Sequence, residues 1–148
     1  DQYQYLVSLD GTVTDAEQDR LESVRTAVER VRSLEIDEGK VILGLGGRPF
    51  WRSVQRFDQV AVAKRLDLPL FVLQGDRDYQ VSSERDFQRW KDALSGQEDV
   101  RFQSYPDLNH LFMSGSGKPS PTEYFRSNNV AKTVVEDLAT WVDSVTGD

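Results

Sequence analysis

The stretch Leu68-Pro69-Leu70-Phe71-Val72-Leu73 carries no polar side chain. An apolar run this short and unbroken fits a strand covered on both faces, as in the parallel sheet of an α/β protein. Gln74-Gly75 ends the run, and Asp76-Arg77-Asp78 follows at once. Gly75 lets the backbone turn sharply, so two carboxylates stand just past the strand's C-terminal end. Open α/β sheets bind their ligands at that edge. The expected fold class is therefore α/β, with parallel strands and flanking helices.

Beyond the turn, Ser82 or Ser83 can cap a helix that carries Phe87, Trp90 and Leu94 and ends by Gly96. Val100 to Tyr105 alternates, as a strand nearer a sheet edge should. Two parallel strands joined by a helix form one βαβ unit. The turn Pro106-Asp107-Leu108-Asn109 then presents His110, the single histidine of the chain, beyond the second strand. A carboxylate and a histidine on neighbouring loops can form the acid–base half of a Ser-His-Asp triad. On spacing alone Asp76 and Asp78 both qualify, and either could instead be an ordinary turn-former.

The pattern Gly75-x-x-Asp78-x-x-Val81, followed by a helix, a strand and Asn109-His110-Leu111-Phe112, resembles the C-terminal half of an α/β-hydrolase. More narrowly it is similar to the esterase and dienelactone-hydrolase-like members, several of which carry a near-identical Gly-x-x-Asp-Tyr-Gln-Val turn and Asn-His-Leu-Phe loop. Leu9-Asp10-Gly11 and Phe50-Trp51 resemble lid segments of that subgroup. The resemblance implies a helical lid over residues 1–58 and the C-terminal part of the core over residues 59–148. It also implies His110 as general base, Asp78 rather than Asp76 as its orienter, and a carboxylic ester or related acyl bond as the small-molecule substrate. No cofactor is implied.

In such enzymes the nucleophile sits in a Gly-x-Ser-x-Gly elbow and precedes the aspartate and the histidine. No serine of this chain fits that pattern. Ser116 lies between Gly115 and Gly117, but the outer positions are Ser114 and Lys118. The nucleophile, the oxyanion hole and most of the sheet are therefore expected upstream, and the chain, which opens at Asp1 without methionine, reads as a segment of something longer. The strand at Leu68–Leu73 needs a neighbour on each side. The expected partner is the N-terminal half of the same fold, or a second copy. The other reading is a degenerate, non-catalytic fragment that survives as an interaction module.

Upstream, Thr14 and Glu17 stand three apart before an apolar stripe of Leu21, Val24, Val28, Val31 and Leu34. That is a capping box opening an amphipathic helix. Residues 1–13 read as a short apolar-polar stretch closed by Asp10-Gly11. Val41 to Gly47 lacks the Gly-x-Gly-x-x-Gly spacing of a nucleotide loop and reads as a flexible lid connection. Phe50, Trp51, Val54 and Phe57 read as packing rather than as an acyl pocket. Asp58 caps a helix through Val60 and Leu66. Gly117-Lys118 fails as a phosphate loop because Pro119 replaces the needed Ser or Thr. A closing helix from about Asn129 turns Val130, Val134, Leu138, Trp141, Val142 and Val145 to the core and ends at Gly147.

The net charge of −7 and pI of about 4.7 argue against nucleic acid or anionic membrane as partners, since both need a cationic face. With 16 Asp to 9 Glu and 13 Arg to 5 Lys, the composition fits a high-salt cytoplasm or a high-GC genome equally well. No cysteine means no disulfide and no thiolate zinc site, and one histidine argues against a histidine-based metal centre. No run approaches the roughly 18 apolar residues of a membrane span, and no leader is visible. These features favour a cytoplasmic setting.

Overall fold

The capping box at Thr14 forms as the spacing requires. In the computed structural model, which describes residues 2–147, the Glu17 amide donates to Thr14 Oγ1 (3.3 Å) and the Thr14 amide donates to Glu17 Oε2 (2.9 Å). Helix α2 (Asp15–Ser33) starts there and stops at Leu34, whose φ of 57° breaks the helical path. It is preceded by α1 (Gln2–Val7), a helix within the apolar-polar stretch that Asp10-Gly11 closes. The chain divides into two compact units, Tyr3–Val62 and a second from Ala63 onward.

In the first unit, Ile42 and Gly46 bridge across a tight turn, with Leu43 and Gly44 at positive φ. Within the segment expected to be a flexible lid connection, the chain makes a hydrogen-bonded turn. Helix α3 (Arg48–Arg56) follows, with Pro49 in its first turn, a position where the missing proline N–H costs nothing. Gln55 Nε2 donates to Val31 O (2.5 Å) at the end of α2, and Arg48 donates to the carbonyl of fully buried Ile36. Phe50 and Trp51 meet edge to face at 5.0 Å, and Trp51 Nε1 donates to Gly46 O. Asp58 Oδ1 accepts the amides of Val60 and Ala61, but α4 (Gln59–Ala63) ends short of Leu66.

The second unit is built on strands β1 (Leu70–Gly75) and β2 (Val100–Tyr105), paired in parallel with Val72 opposite Phe102. Among the described residues the sheet has these two strands. Between them run a wide turn of π type (Ser83–Phe87) and α5 (Gln88–Leu94). The turn widens because the Asp86 and Phe87 amides both donate to Ser82 O. Ser82 is the N-cap residue, but neither serine caps through its side chain. Asp86 Oδ2 accepts the Ser82 amide instead, and Ser83 Oγ turns to Asp76.

Alternation along the strands sends Phe102 to the face where it meets Phe87, the last residue of the π turn before α5, at 6.0 Å. Phe71, on the opposite face, meets Trp141 of α6 (Lys132–Thr146) at 5.6 Å. The core joins Tyr105, Leu108 and Val134, with Leu73, Phe112 and Ala131 packed against it. Burial of apolar area at about 25 cal/mol per Å² is what holds α6 to the sheet.

Two expectations about packing need correction. Leu68 lies outside β1 and is exposed, while Leu70 to Leu73 are half-buried rather than covered. On α6 only Val134 is buried and Trp141 half-buried; Val130 before it and Leu138, Val142 and Val145 along it are exposed. With Val135 they leave an apolar stripe on the outer face. The reason is geometric: a helix carrying apolar residues on more than one face can turn only one of them to a two-stranded sheet.

Among the described residues no helix is long and apolar enough to cross a membrane.

Candidate active site

The last paired residues of the sheet are Gly75 and Tyr105, and both loops of interest leave from there. The Asp76 amide donates to Tyr105 O (2.9 Å), and the Arg77 amide donates to Leu108 O (3.0 Å). The turn after β1 and the loop after β2 are thus joined backbone to backbone. Gly75 makes that approach possible. A Cβ there would stand 2.5 Å from Leu108 O and 2.6 Å from Asn109 O, well inside contact distance.

Asp78 closes the first loop. Its Oδ1 accepts the amides of Gln80 (2.7 Å) and Val81 (3.0 Å), the local geometry that favours aspartate in turns. Its Oδ2 is left free to face the second loop, and there it lies 2.7 Å from His110 Nδ1. The Asp78 side chain is 5% exposed and that of His110 40%. An ionised carboxylate offers only lone pairs, so the shared proton belongs to Nδ1, and in the neutral imidazole Nε2 then keeps its lone pair. One side of the imidazole is held and the other is open to act as a base.

Asp76 does not share this arrangement. Its Oδ1 accepts from Ser83 Oγ at 2.9 Å, and the residue is exposed. Of the two carboxylates that spacing leaves equivalent, the structure brings Asp78 to His110 and puts Asp76 at the start of the helical connection.

The histidine loop is shaped by Asn109, which is 1% exposed. Its Oδ1 accepts the amides of Leu111 (3.0 Å) and Met113 (3.2 Å), while its own amide donates to Met113 O. The chain turns so tightly that Phe112 adopts a φ of 54°. Asn109 Nδ2 donates to Glu123 Oε2 at 3.1 Å. Glu123 sits in a short 3₁₀ turn, Pro121–Phe125, and binds Arg77 through Nη2 at 2.5 Å, the two side chains being 12% and 14% exposed. Burial raises the pKa of the Glu123 carboxyl, but the hydrogen bonds from Arg77 and Asn109 and the charges of Arg77 and Arg126 outweigh it and leave the value lowered.

Sequence reasoning missed Glu123 altogether. It lies 46 residues from Arg77, in a segment to which the sequence reading gives no element. No period links the two.

The same 3₁₀ turn carries Tyr124, which stacks on Tyr79 (6.3 Å) and accepts from Gln80 Nε2 (3.0 Å). Burial first, then the hydrogen bond with Tyr124, pushes Tyr79 up to about 12. On the inner side Tyr105 Oη donates to Asp137 Oδ2 (2.7 Å), and burial followed by that bond raises Tyr105 further still. Among the described residues no group of three or more His, Cys, Asp or Glu side chains is placed to hold a metal ion.

The chain is similar to Esterase EstD of Thermotoga maritima, with 37% identity over 142 residues that make up 96% of this chain and 32% of the relative. It thus spans about a third of the length of the curated relative it matches. No family model matches the chain, and no solved structure matches it.

Proposed function

We propose that the chain is the lid and C-terminal half of a serine hydrolase of the α/β-hydrolase type, cleaving carboxylic esters or related acyl bonds. The observation that carries this reading is the His110 Nδ1 to Asp78 Oδ2 hydrogen bond at the C-terminal edge of two parallel strands. Similarity to a protein named an esterase supports it. Residues 59–148 supply the acid–base pair and residues 1–58 the lid segment. The nucleophilic serine and the oxyanion hole come from sequence outside the 148 residues.

In this mechanism Nε2 of His110 takes the proton from the serine hydroxyl as its oxygen attacks the acyl carbon. The same nitrogen then returns that proton to the leaving alcohol as the tetrahedral intermediate collapses. Asp78 fixes the tautomer and stabilises the imidazolium between the two transfers. Water repeats the sequence on the acyl-enzyme, releasing the acid and the free serine. No cofactor takes part. The macromolecular partner is the nucleophile-bearing half of the fold, and the net charge of −7 argues against nucleic acid or anionic lipid.

A non-catalytic interaction module is the second reading, favoured by the exposed apolar stripe on α6. The experiment is to express the chain with its upstream coding sequence and assay turnover of a nitrophenyl ester together with fluorophosphonate labelling. Covalent labelling upstream of residue 1, lost turnover in His110→Ala and retained folding support the hydrolase. A longer protein that neither labels nor turns over ester leaves the interaction module.

A further inference from the structure

Arg77 stands between the two aspartates of the first loop, and Asn109 directly precedes His110. Both donate to one carboxylate, that of Glu123: Arg77 Nη2 at 2.5 Å to Oε1 and Asn109 Nδ2 at 3.1 Å to Oε2. Arg77 Nη2 also donates to Ser116 O (3.2 Å) and Gly117 O (3.3 Å), and Gly115 leaves the space its guanidinium fills. A closed circuit results. It runs from Asp78 to Arg77 along the chain, across to Glu123, on to Asn109, along the chain to His110, and back through the 2.7 Å bond to Asp78. Of its members His110 is the most exposed, at 40% for the side chain against 14% or less for Asp78, Arg77 and Glu123.

We infer that Glu123 is a positioning residue, which holds the loops of Asp78 and His110 at hydrogen-bonding separation by clamping Arg77 and Asn109 from behind. A histidine 40% exposed gains little from its own packing, and a single hydrogen bond at a wet edge competes with water. Charge-assisted bonds shielded from solvent are stronger. Glu123 supplies two of them, one to each loop, and its depressed pKa shows that the ionised form is the one the site prefers. The turn that carries Glu123 also brings Tyr124 against Tyr79 and Gln80, a second tie between the same segment and the Asp78 loop. The inference rests on the proposed roles of Asp78 and His110, but it concerns their geometry and can be tested without an ester.

The single histidine makes the test direct. In the 148-residue chain labelled with nitrogen-15, at alkaline pH where imidazoles are neutral, the two ring nitrogen resonances report which nitrogen carries the proton. The wild type is expected to hold Nδ1–H as the majority tautomer, against the Nε2–H preference of free imidazole. Glu123→Gln keeps the size but turns an NH₂ group toward one of the two donors, and the paired change Arg77→Met with Glu123→Leu removes the ion pair without leaving a buried charge. Both are expected to lose the Nδ1–H majority while the amide spectrum stays dispersed. Folded variants that keep it would overturn the inference and leave the proposed hydrolase untouched. Unfolding of both variants would make Glu123 part of the general scaffold and overturn the positioning role as well. A wild type with the Nδ1–H majority, in a longer protein without ester turnover, would remove the proposed function and leave the clamp standing.

Discussion

The edge that carries Asp78 and His110 and the outer face of α6 lie in the same unit and treat their side chains in opposite ways. At the edge, Asp78, Asn109, Arg77 and Glu123 all have side-chain partners within the second unit. On α6, Val135, Leu138, Val142 and Val145 are between 38 and 55% exposed and meet no comparable cover. Loops that hydrogen-bond to each other are complete over short distances. Apolar faces are complete only when another layer arrives. The contrast separates what this segment can specify by itself from what needs more protein around it.

The sharpest way to break that comparison is at the reacting pair. In the longer hydrolase proposed above, His110→Ala is expected to lower ester turnover by roughly a million-fold, as for loss of a triad base. Asp78→Asn is expected to cost about ten-thousand-fold, because the tautomer is then wrong. Asp76→Asn should change little, and steady-state kinetics of the three variants decides the matter. Equal losses from both aspartate changes would mean that the first loop does not distinguish them chemically, whatever its geometry.

Stability comes next in size. Glu123→Ala leaves Arg77 with its charge and only main-chain oxygens, and removing one partner of a shielded ion pair costs about 3–5 kcal/mol. Denaturant unfolding measures this. Leu138→Lys together with Val142→Lys should alter the monomer by only about 0.5 kcal/mol each, as exposed sites do. The same pair of changes should shift sedimentation of the 148-residue chain toward the monomer, since the unchanged chain is expected to self-associate through uncovered apolar surface and to show no esterase turnover alone. If the lysine variants sediment as the parent does, the α6 face is not where copies meet.

The smallest effect is on pH. Glu123 has a folded pKa below the ordinary glutamate value, so the folded state binds this proton less readily than the unfolded chain. Its contribution is present above that value and is lost as pH falls through the folded pKa. Acid titration of unfolding midpoints should therefore show a limb that Glu123→Gln flattens. Tyr79 behaves with the opposite sign. Raised to about 12, it contributes below the ordinary tyrosine value and loses that contribution as pH climbs through its own. Absorbance of tyrosinate against pH would show it ionising late.

What the sequence makes legible follows the range of the forces involved. The capping box at Thr14 and Glu17, the strand ending at Gly75 and the left-handed cap at Gly147 are set by neighbours a few residues away, and each stands where its residues say. The approach of His110 to Asp78 spans 32 residues, yet a βαβ unit has little freedom in where its loops go, so topology carries the inference across. Helix α3 was hidden because Gly46, Gly47 and Pro49 read as loop, although proline just inside a helix start is itself a start signal. Glu123 is the instructive omission. Its partners sit on two other loops, and nothing within its own neighbourhood of sequence distinguishes it from a surface acid.

Gly75 carries a consequence for how this part of the molecule can vary over time. Because the two loops touch through main-chain atoms at Leu108 and Asn109, their spacing is indifferent to most side-chain exchange but not to a change in length. One residue inserted between Gly75 and Asp78, or between Tyr105 and His110, would shift every amide that now faces a carbonyl across the gap. The same insertion between α5 and β2, where Ser95 to Asp99 run over the surface, would leave that contact intact. Drift in such a lineage should therefore accumulate as insertions behind the sheet and as substitutions in front of it.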